Sequence, residues 1–294
     1  MTYWGAAPVI LVFADSEEGA AAASRSVETA GGRIAAIANI DTASQRIDQQ
    51  VAVDIVWIDI GIDHGPVLDR LLDRVVEGSA RRDFSVMVVI PPSLVDIVAA
   101  RISGDAITIL VGRDEATLDA ALGERLSRPA LTLREDSGDE AMSHRRFKSD
   151  VLDAGSASIL RDGSGGSDED DFNPLLASSP AVTDANAIRD IIRARRLRED
   201  LFGEGLFADP AWDILLDLMA ARIEGRPVAV SSLCIAAAVP ATTALRWIKQ
   251  LTAAGLLHRV ADPDDGRRVF IELTERAATA MAGYFAAARP AARG

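Results

Sequence analysis

From Pro240 to Thr274 the chain reads as an amphipathic helix, a glycine stop, a short strand, a polar turn and a second, alternating strand. Pro240 suits a first helical turn, where its missing N–H costs nothing, and Gly255 sits where a helix should end. Ala244, Trp247, Ile248 and Leu251 recur at three-and-four spacing and predict an inward face on a helix over 240–253. Pro263 and Gly266 bend the turn, and Val269, Ile271 and Leu273 alternate as in a half-buried strand. Few folds accept a helix that runs straight into so short a hairpin.

The outward face of that helix carries Thr242, Thr243, Arg246, Lys249 and Gln250. These hydroxyl, guanidinium, ammonium and amide groups can donate to phosphates or pair with base edges; an ordinary solvated face has the same composition. Arg267, at the tip of the turn, is long enough to enter a minor groove. Asp265, two residues before it, is expected to orient its guanidinium through a charge-assisted bond. The alternative for this stretch is a plain surface hairpin.

The segment from about Thr183 to the C-terminus, roughly the last 110 residues, resembles the MarR-type winged helix-turn-helix transcriptional regulators. Ser232-Leu233-Cys234 stands for the first helix of the motif, and Val239 through Arg246 for the start of its second, groove-reading helix. Leu251 through Arg259 matches the helix end and first wing strand, Asp265-Gly266-Arg267 the family's Asp-x-Arg wing motif, and Leu273-Thr274 the end of the second strand. The resemblance implies a homodimer on a palindromic DNA site, with Arg246 in the major groove and Arg267 in the minor groove. Thr242, Thr243, Lys249, Gln250, Asp265 and Arg268 complete the candidate DNA-binding set.

A net charge of −13 is at first sight hostile to DNA. From Thr183 onward, however, 15 Lys and Arg face 14 Asp and Glu, a net of +1, which leaves −14 to the first 182 residues. Non-specific affinity scales with the phosphates neutralised, so the C-terminal part should depend on a defined site rather than on a basic surface. The single cysteine excludes an internal disulfide and suits the cytoplasm. No apolar run predicts a membrane span, and the N-terminus lacks a signal-peptide pattern. His64, His144 and His258 have no ligand spacing, so neither metal nor other cofactor is expected.

Residues 8 to about 128 alternate apolar runs (9–13, 34–38, 55–60, 86–90, 107–111) with helical patterns (17–29, 42–50, 67–76, 94–102, 115–126). Five such units predict an α/β domain with a five-stranded parallel sheet covered on both faces. No Gly-rich phosphate loop or Walker-type lysine follows the first strand, and no nucleophile–base pair stands out, so an enzyme is not expected. The layout resembles the receiver domain of response regulators, with Asp59 at the carboxyl end of the third strand, where that family accepts phosphate and where ligands of such sheets bind. The rest of the receiver chemistry is damaged. Ala14-Asp15 supplies one of two magnesium-holding acids, and Ile90-Pro91-Pro92 lacks the hydroxyl unless Ser93 substitutes. Val111-Gly112 stands where the lysine belongs, with Arg113 the nearest cation. Phosphoryl transfer rests on electrostatic positioning, which implies a pseudo-receiver that is not phosphorylated. Alternatives are residual phosphorylation at Asp59, or a small ligand or signalling protein at Asp15 and Asp59.

The expected organisation is thus a receiver-like domain over 1–128, a linker over 129–182 and a winged-helix domain over 183–294. The linker includes the acidic, Gly/Ser-containing run Asp162–Asp171 and a small basic island at Arg145, Arg146 and Lys148. Thr183 has N-cap character, and Ile188, Ile191, Ile192, Leu197 and Leu201 predict an amphipathic helix rich in arginine, a dimer element or a helix lying on phosphates. Trp212, Leu215, Leu216, Met219 and Ile223 predict a core stripe, and Cys234 a small buried residue. The function expected is a cytoplasmic DNA-binding regulator. The competing reading is a signalling adaptor whose winged helix binds protein.

Overall fold

The computed structural model describes residues 7–49, 53–81, 83–102, 106–127, 184–203 and 206–288. The 129–182 segment, with Asp162–Asp171 and Arg145, Arg146 and Lys148, lies outside them, as do His144 and Thr183.

Strands β1 (Val9–Ala14), β2 (Arg33–Ala38), β3 (Ile55–Asp59), β4 (Ser85–Ile90) and β5 (Ile107–Val111) form one sheet in the order β2-β1-β3-β4-β5, every pair parallel. Successive side chains on a strand alternate between faces, and both faces here are apolar. Leu11, Phe13, Val56, Ile58, Val86 and Val88 enter one cluster, and Ile10, Val12, Ile55, Trp57, Met87 and Val89 the other. The second cluster is closed by α1 (Glu17–Thr29) and α5 (Glu115–Ser127). The first is closed by α2 (Ala43–Gln49), α3 (Pro66–Ala80) and α4 (Val95–Arg101). Double coverage explains why the strands read as continuous apolar runs. The chain changes direction across the sheet between β1 and β3, where Ala14 pairs with Asp59. A crevice at the strand carboxyl ends belongs at such a point.

The C-terminal half continues with α6 (Ala185–Phe202), α7 (Pro210–Glu224), α8 (Val230–Ala236), α9 (Ala241–Ala253), the antiparallel hairpin β6 (Leu257–Ala261) and β7 (Val269–Leu273), and α10 (Glu275–Ala288). It is a winged-helix domain. Asp184 caps α6, its carboxylate accepting from the Asn186 amide. Between α8 and α9 the chain bends by 108°, and α9 ends at Gly255, φ +69°, a left-handed stop that favours glycine. The hairpin gains a partner that the sequence reading missed: Ala229 bridges Phe270, and the Ile271 amide donates to the Val228 carbonyl.

Ile188 is fully buried, but Ile191, Leu197 and Leu201 on the same helix are 37%, 55% and 69% exposed. The α7 stripe also departs from expectation at its end, where Ile223 is exposed. Cys234 is buried, which pushes its thiol up to about 12. Among the described residues no single helix is long and apolar enough to cross a membrane. The two halves pack as one compact unit. α9 lies against β5, α8 and β7 lie against α4, and the apolar cluster under α2–α4 runs on into the winged helix.

Ala238, in the turn before α9, has φ +53°, a conformation that disfavours any residue with a Cβ. Ala238→Gly is therefore expected to stabilise the protein by about 0.5–1 kcal/mol, read as a raised midpoint in urea at unchanged slope.

Candidate nucleic-acid interface and the Asp59 pocket

Helix α9 buries Ala244, Leu245, Ile248 and Leu251 against the domain. Its opposite face leaves Arg246 and Gln250 exposed, with Thr243 and Lys249 half-buried. Thr242, at the start of the helix, is half-buried too, and its Oγ1 accepts a 2.9 Å hydrogen bond from the Val111 amide at the end of β5.

The hairpin turn is built by its aspartates. Asp262 accepts from the Asp264 amide at 2.9 Å, and Asp265 accepts from the Arg267 amide at 2.9 Å. Asp265 thus shapes the backbone and does not hold the Arg267 fork, contrary to expectation. That fork reaches the N-terminal half. Its Nη1 and Nη2 donate to the two oxygens of Asp63 at 2.7 and 2.8 Å, and its Nε donates to Asp69 at 3.1 Å. The bidentate Arg267 contact holds the Asp63 carboxyl down at about 2. Arg268 donates to Asp96 at 3.3 Å, and the same carboxylate accepts from the Ser231 amide and hydroxyl at 2.8 and 2.7 Å. Arg259, on β6, donates to the Ala100 and Ile102 carbonyls at 3.5 and 3.2 Å. No periodicity or motif marks Asp63, Asp69, Asp96, Ser231 or Arg259. Only the docking of the halves brings them to the wing.

The second candidate site lies at the carboxyl ends of β1 and β3. Asp59 is fully buried, and Arg113 fills the place in front of it, donating through Nη2 at 2.6 Å and Nε at 3.0 Å to one carboxylate oxygen. Burial pushes the Asp59 carboxyl up, and the Arg113 bonds offset only part of this. Gly19 roofs the pair from α1; a Cβ there would come within 2.4 Å of Asp59 Oδ1. Asp15 accepts from the Gly61 and Ile62 amides at 2.7 and 3.1 Å and meets His64 Nε2 at 3.1 Å. Burial alone would raise its carboxyl, but the His64 and amide bonds outweigh it and hold it below its ordinary value. Ser93 is exposed, on the short turn Pro92–Leu94.

Receivers hold magnesium here, and these residues do not fit it. One acid is matched by a guanidinium, the other by a histidine and two amides, and among the described residues no group of three ligating side chains exists. The Asp15 Oδ1 atom, buried without a hydrogen-bond partner, is a single donor.

Three of the five arginines of α6 serve packing, whereas Arg193 is exposed and pairs with Asp190 of the same helix. Arg189 pairs with Asp217 and Glu224 of α7, Arg195 pairs with the buried Asp213 at 2.6 Å, and Arg196 donates to the Ala236 carbonyl. These three tie helices together rather than face outward for phosphates.

Residues 212–277, from α7 through the start of α10, match the winged helix DNA-binding domain family. No curated protein matches the chain in sequence. Among solved structures, a probable transcriptional regulator from Pseudomonas aeruginosa is 28% identical over 35% of this chain and 72% of its own, at a TM-score of 0.24. The transcriptional regulator Tm0710 from Thermotoga maritima is 24% identical over 34% and 69%, at 0.23. MepR from S. aureus, bound to ethidium bromide, is 18% identical over 37% and 76%, at 0.25. At TM-scores this low these likenesses carry no weight beside the family match.

Arg113→Met is expected to cost about 3 kcal/mol, the low end for a broken buried pair because Arg113 is itself partly exposed. Asp59 would then stay buried with no counter-charge, its carboxyl raised further. A raised carboxylate binds its proton more tightly folded than unfolded, so the deficit should shrink as pH falls from 7 toward 5. Chemical denaturation at both pH values checks this, and the double variant Asp59→Asn/Arg113→Met should recover most of the loss.

Proposed function

We propose that this chain is a DNA-binding transcriptional regulator of the MarR type, a homodimer reading a palindromic site. The observation that carries the reading is the winged-helix family match over 212–277, which coincides with the α8–α9 bend and the β6–β7 wing. Arg246 and Gln250 stand exposed on α9, ready for the major groove. Thr242, Thr243, Lys249, Arg267 and Arg268 supply further contacts, and Asp265 shapes the wing turn. Supporting the dimer, α6 leaves Ile191, Leu197, Leu201 and Phe202 exposed, and Tyr284 of α10 is exposed too; a second copy would cover such a surface.

In this reading residues 1–128 are a pseudo-receiver, 129–182 a linker and 183–294 the DNA-binding and dimerising part. The pseudo-receiver takes its input without phosphate, because Arg113 already neutralises Asp59 and Asp15 is committed to the loop after β3. The protein acts in the cytoplasm and is not an enzyme.

Selection from a random duplex library should enrich inverted repeats, and sedimentation should give a dimer without DNA. Arg246→Ala should lose about 1–3 kcal/mol at the selected site and little on random DNA. Failure to enrich any sequence would sink the reading. Incubation with magnesium and acetyl phosphate should leave the mass of the protein unchanged. Stoichiometric phosphorylation at Asp59 would instead make it an ordinary phosphorylated regulator.

A further inference from the structure

Three of the groups that would meet DNA, Thr242, Arg267 and Arg268, are already engaged by the N-terminal half. Thr242, at the start of α9, sits on the end of β5 through the Val111 amide. Arg267, at the wing tip, is gripped by Asp63 and Asp69, and Arg268 by Asp96. Asp96 also takes the amide and hydroxyl of Ser231 at the start of α8. Three carboxylates therefore receive donors of the kind that phosphate oxygens receive in a protein–DNA interface. From the DNA-binding reading above, we infer that the N-terminal half is a built-in competitor of DNA: its acidic edge and the duplex claim the same face of the winged helix, so full reading of a site requires the two halves to part.

The seam is of a kind that can part. Beside the apolar cluster that the halves share, it carries ion pairs, the polar contacts that moving domains use. It also leaves an open cavity of about 620 Å³, whose lining includes Pro92, Val95, Cys234, Ile235 and Val239. Net charge adds only a weak attraction, since residues 1–128 carry −8 and residues 183–294 +1. The loop presenting Asp63 is the one anchored by Asp15 through the Gly61 and Ile62 amides, which joins the Asp59 pocket physically to the wing. Arg246 and Gln250 stay exposed with the halves docked, so the closed form retains a partial, weak hold on DNA.

Substituting Arg267 cannot test this, because it would remove a DNA contact and a seam contact together. The test uses the full chain with Asp63→Asn/Asp96→Asn, and separately Arg259→Met, which loosens the seam at the Ala100 and Ile102 carbonyls while removing a positive charge. Glu28→Gln/Asp41→Asn, two exposed acids elsewhere on the same half, is the charge control. Binding is measured on a duplex selected by whichever chain enriches one, with hydrogen exchange at the Val111 amide as the readout of the seam. Both seam variants should bind about tenfold tighter or more than the parent, with faster Val111 exchange, and the control should not. DNA should speed Val111 exchange in the parent. Equal affinity of parent and both variants, or an equal gain in the control, overturns the competition while leaving DNA binding intact. If no chain, parent or variant, enriches any duplex, the DNA-binding reading falls and the competition with it.

Discussion

One apolar cluster holds the molecule together, running from the α2–α4 side of the parallel sheet into α8, α9 and the wing. A parallel sheet must be covered on both faces, and on this side two of its three helices, α2 and α4, have only seven residues each. The winged helix extends that cover, lying on α4 and the β5 edge. Burial of apolar surface is non-directional, so it brings the halves together but does not set which residues meet. The carboxylates Asp63, Asp69 and Asp96 do that, each opposite a wing or helix donor.

Electrostatics divides the molecule into two uses of the same chemistry. In the pocket, the partly exposed Arg113 answers a carboxylate with no solvent exposure, and the pair is structural: the guanidinium makes the buried charge tolerable away from water. At the wing, Arg267 answers carboxylates that remain partly solvated. Separating such a pair costs less than baring the Asp59 carboxylate, because water can reach its groups. The loop 61–65 touches both places, with its amides on Asp15 and its Asp63 on the wing.

Much of the fold was legible. Continuous apolar runs marked five strands within a residue or two of their observed ends, since doubly covered strands leave few polar positions to confuse the pattern. Three-and-four spacing marked α9, and Gly255 its end. Asp59 could be placed at a strand end by counting. What stayed hidden was every partner separated by a long stretch of chain: Arg113 on Asp59, His64 on Asp15, Asp63 on Arg267, and the bridge from Ala229 to Phe270. The misreading of Asp265 shows why. A local rule preferred the nearest carboxylate, whereas a long, flexible arginine is governed by whichever acids the docked halves bring within reach.

By itself the sequence determined the local hydrogen-bonding and apolar periodicities, and with them the elements, the parallel sheet and the helix–hairpin unit, because these depend on neighbours a few residues apart. The relation between the two halves was decided by tertiary structure alone. That relation arises from apolar area whose partner no pattern specifies, and from ion pairs spanning about two hundred residues of chain, such as Asp63 with Arg267. The face that the helix and wing would offer to DNA is written in the sequence; that the protein's own acidic half grips the wing and the start of that helix is not.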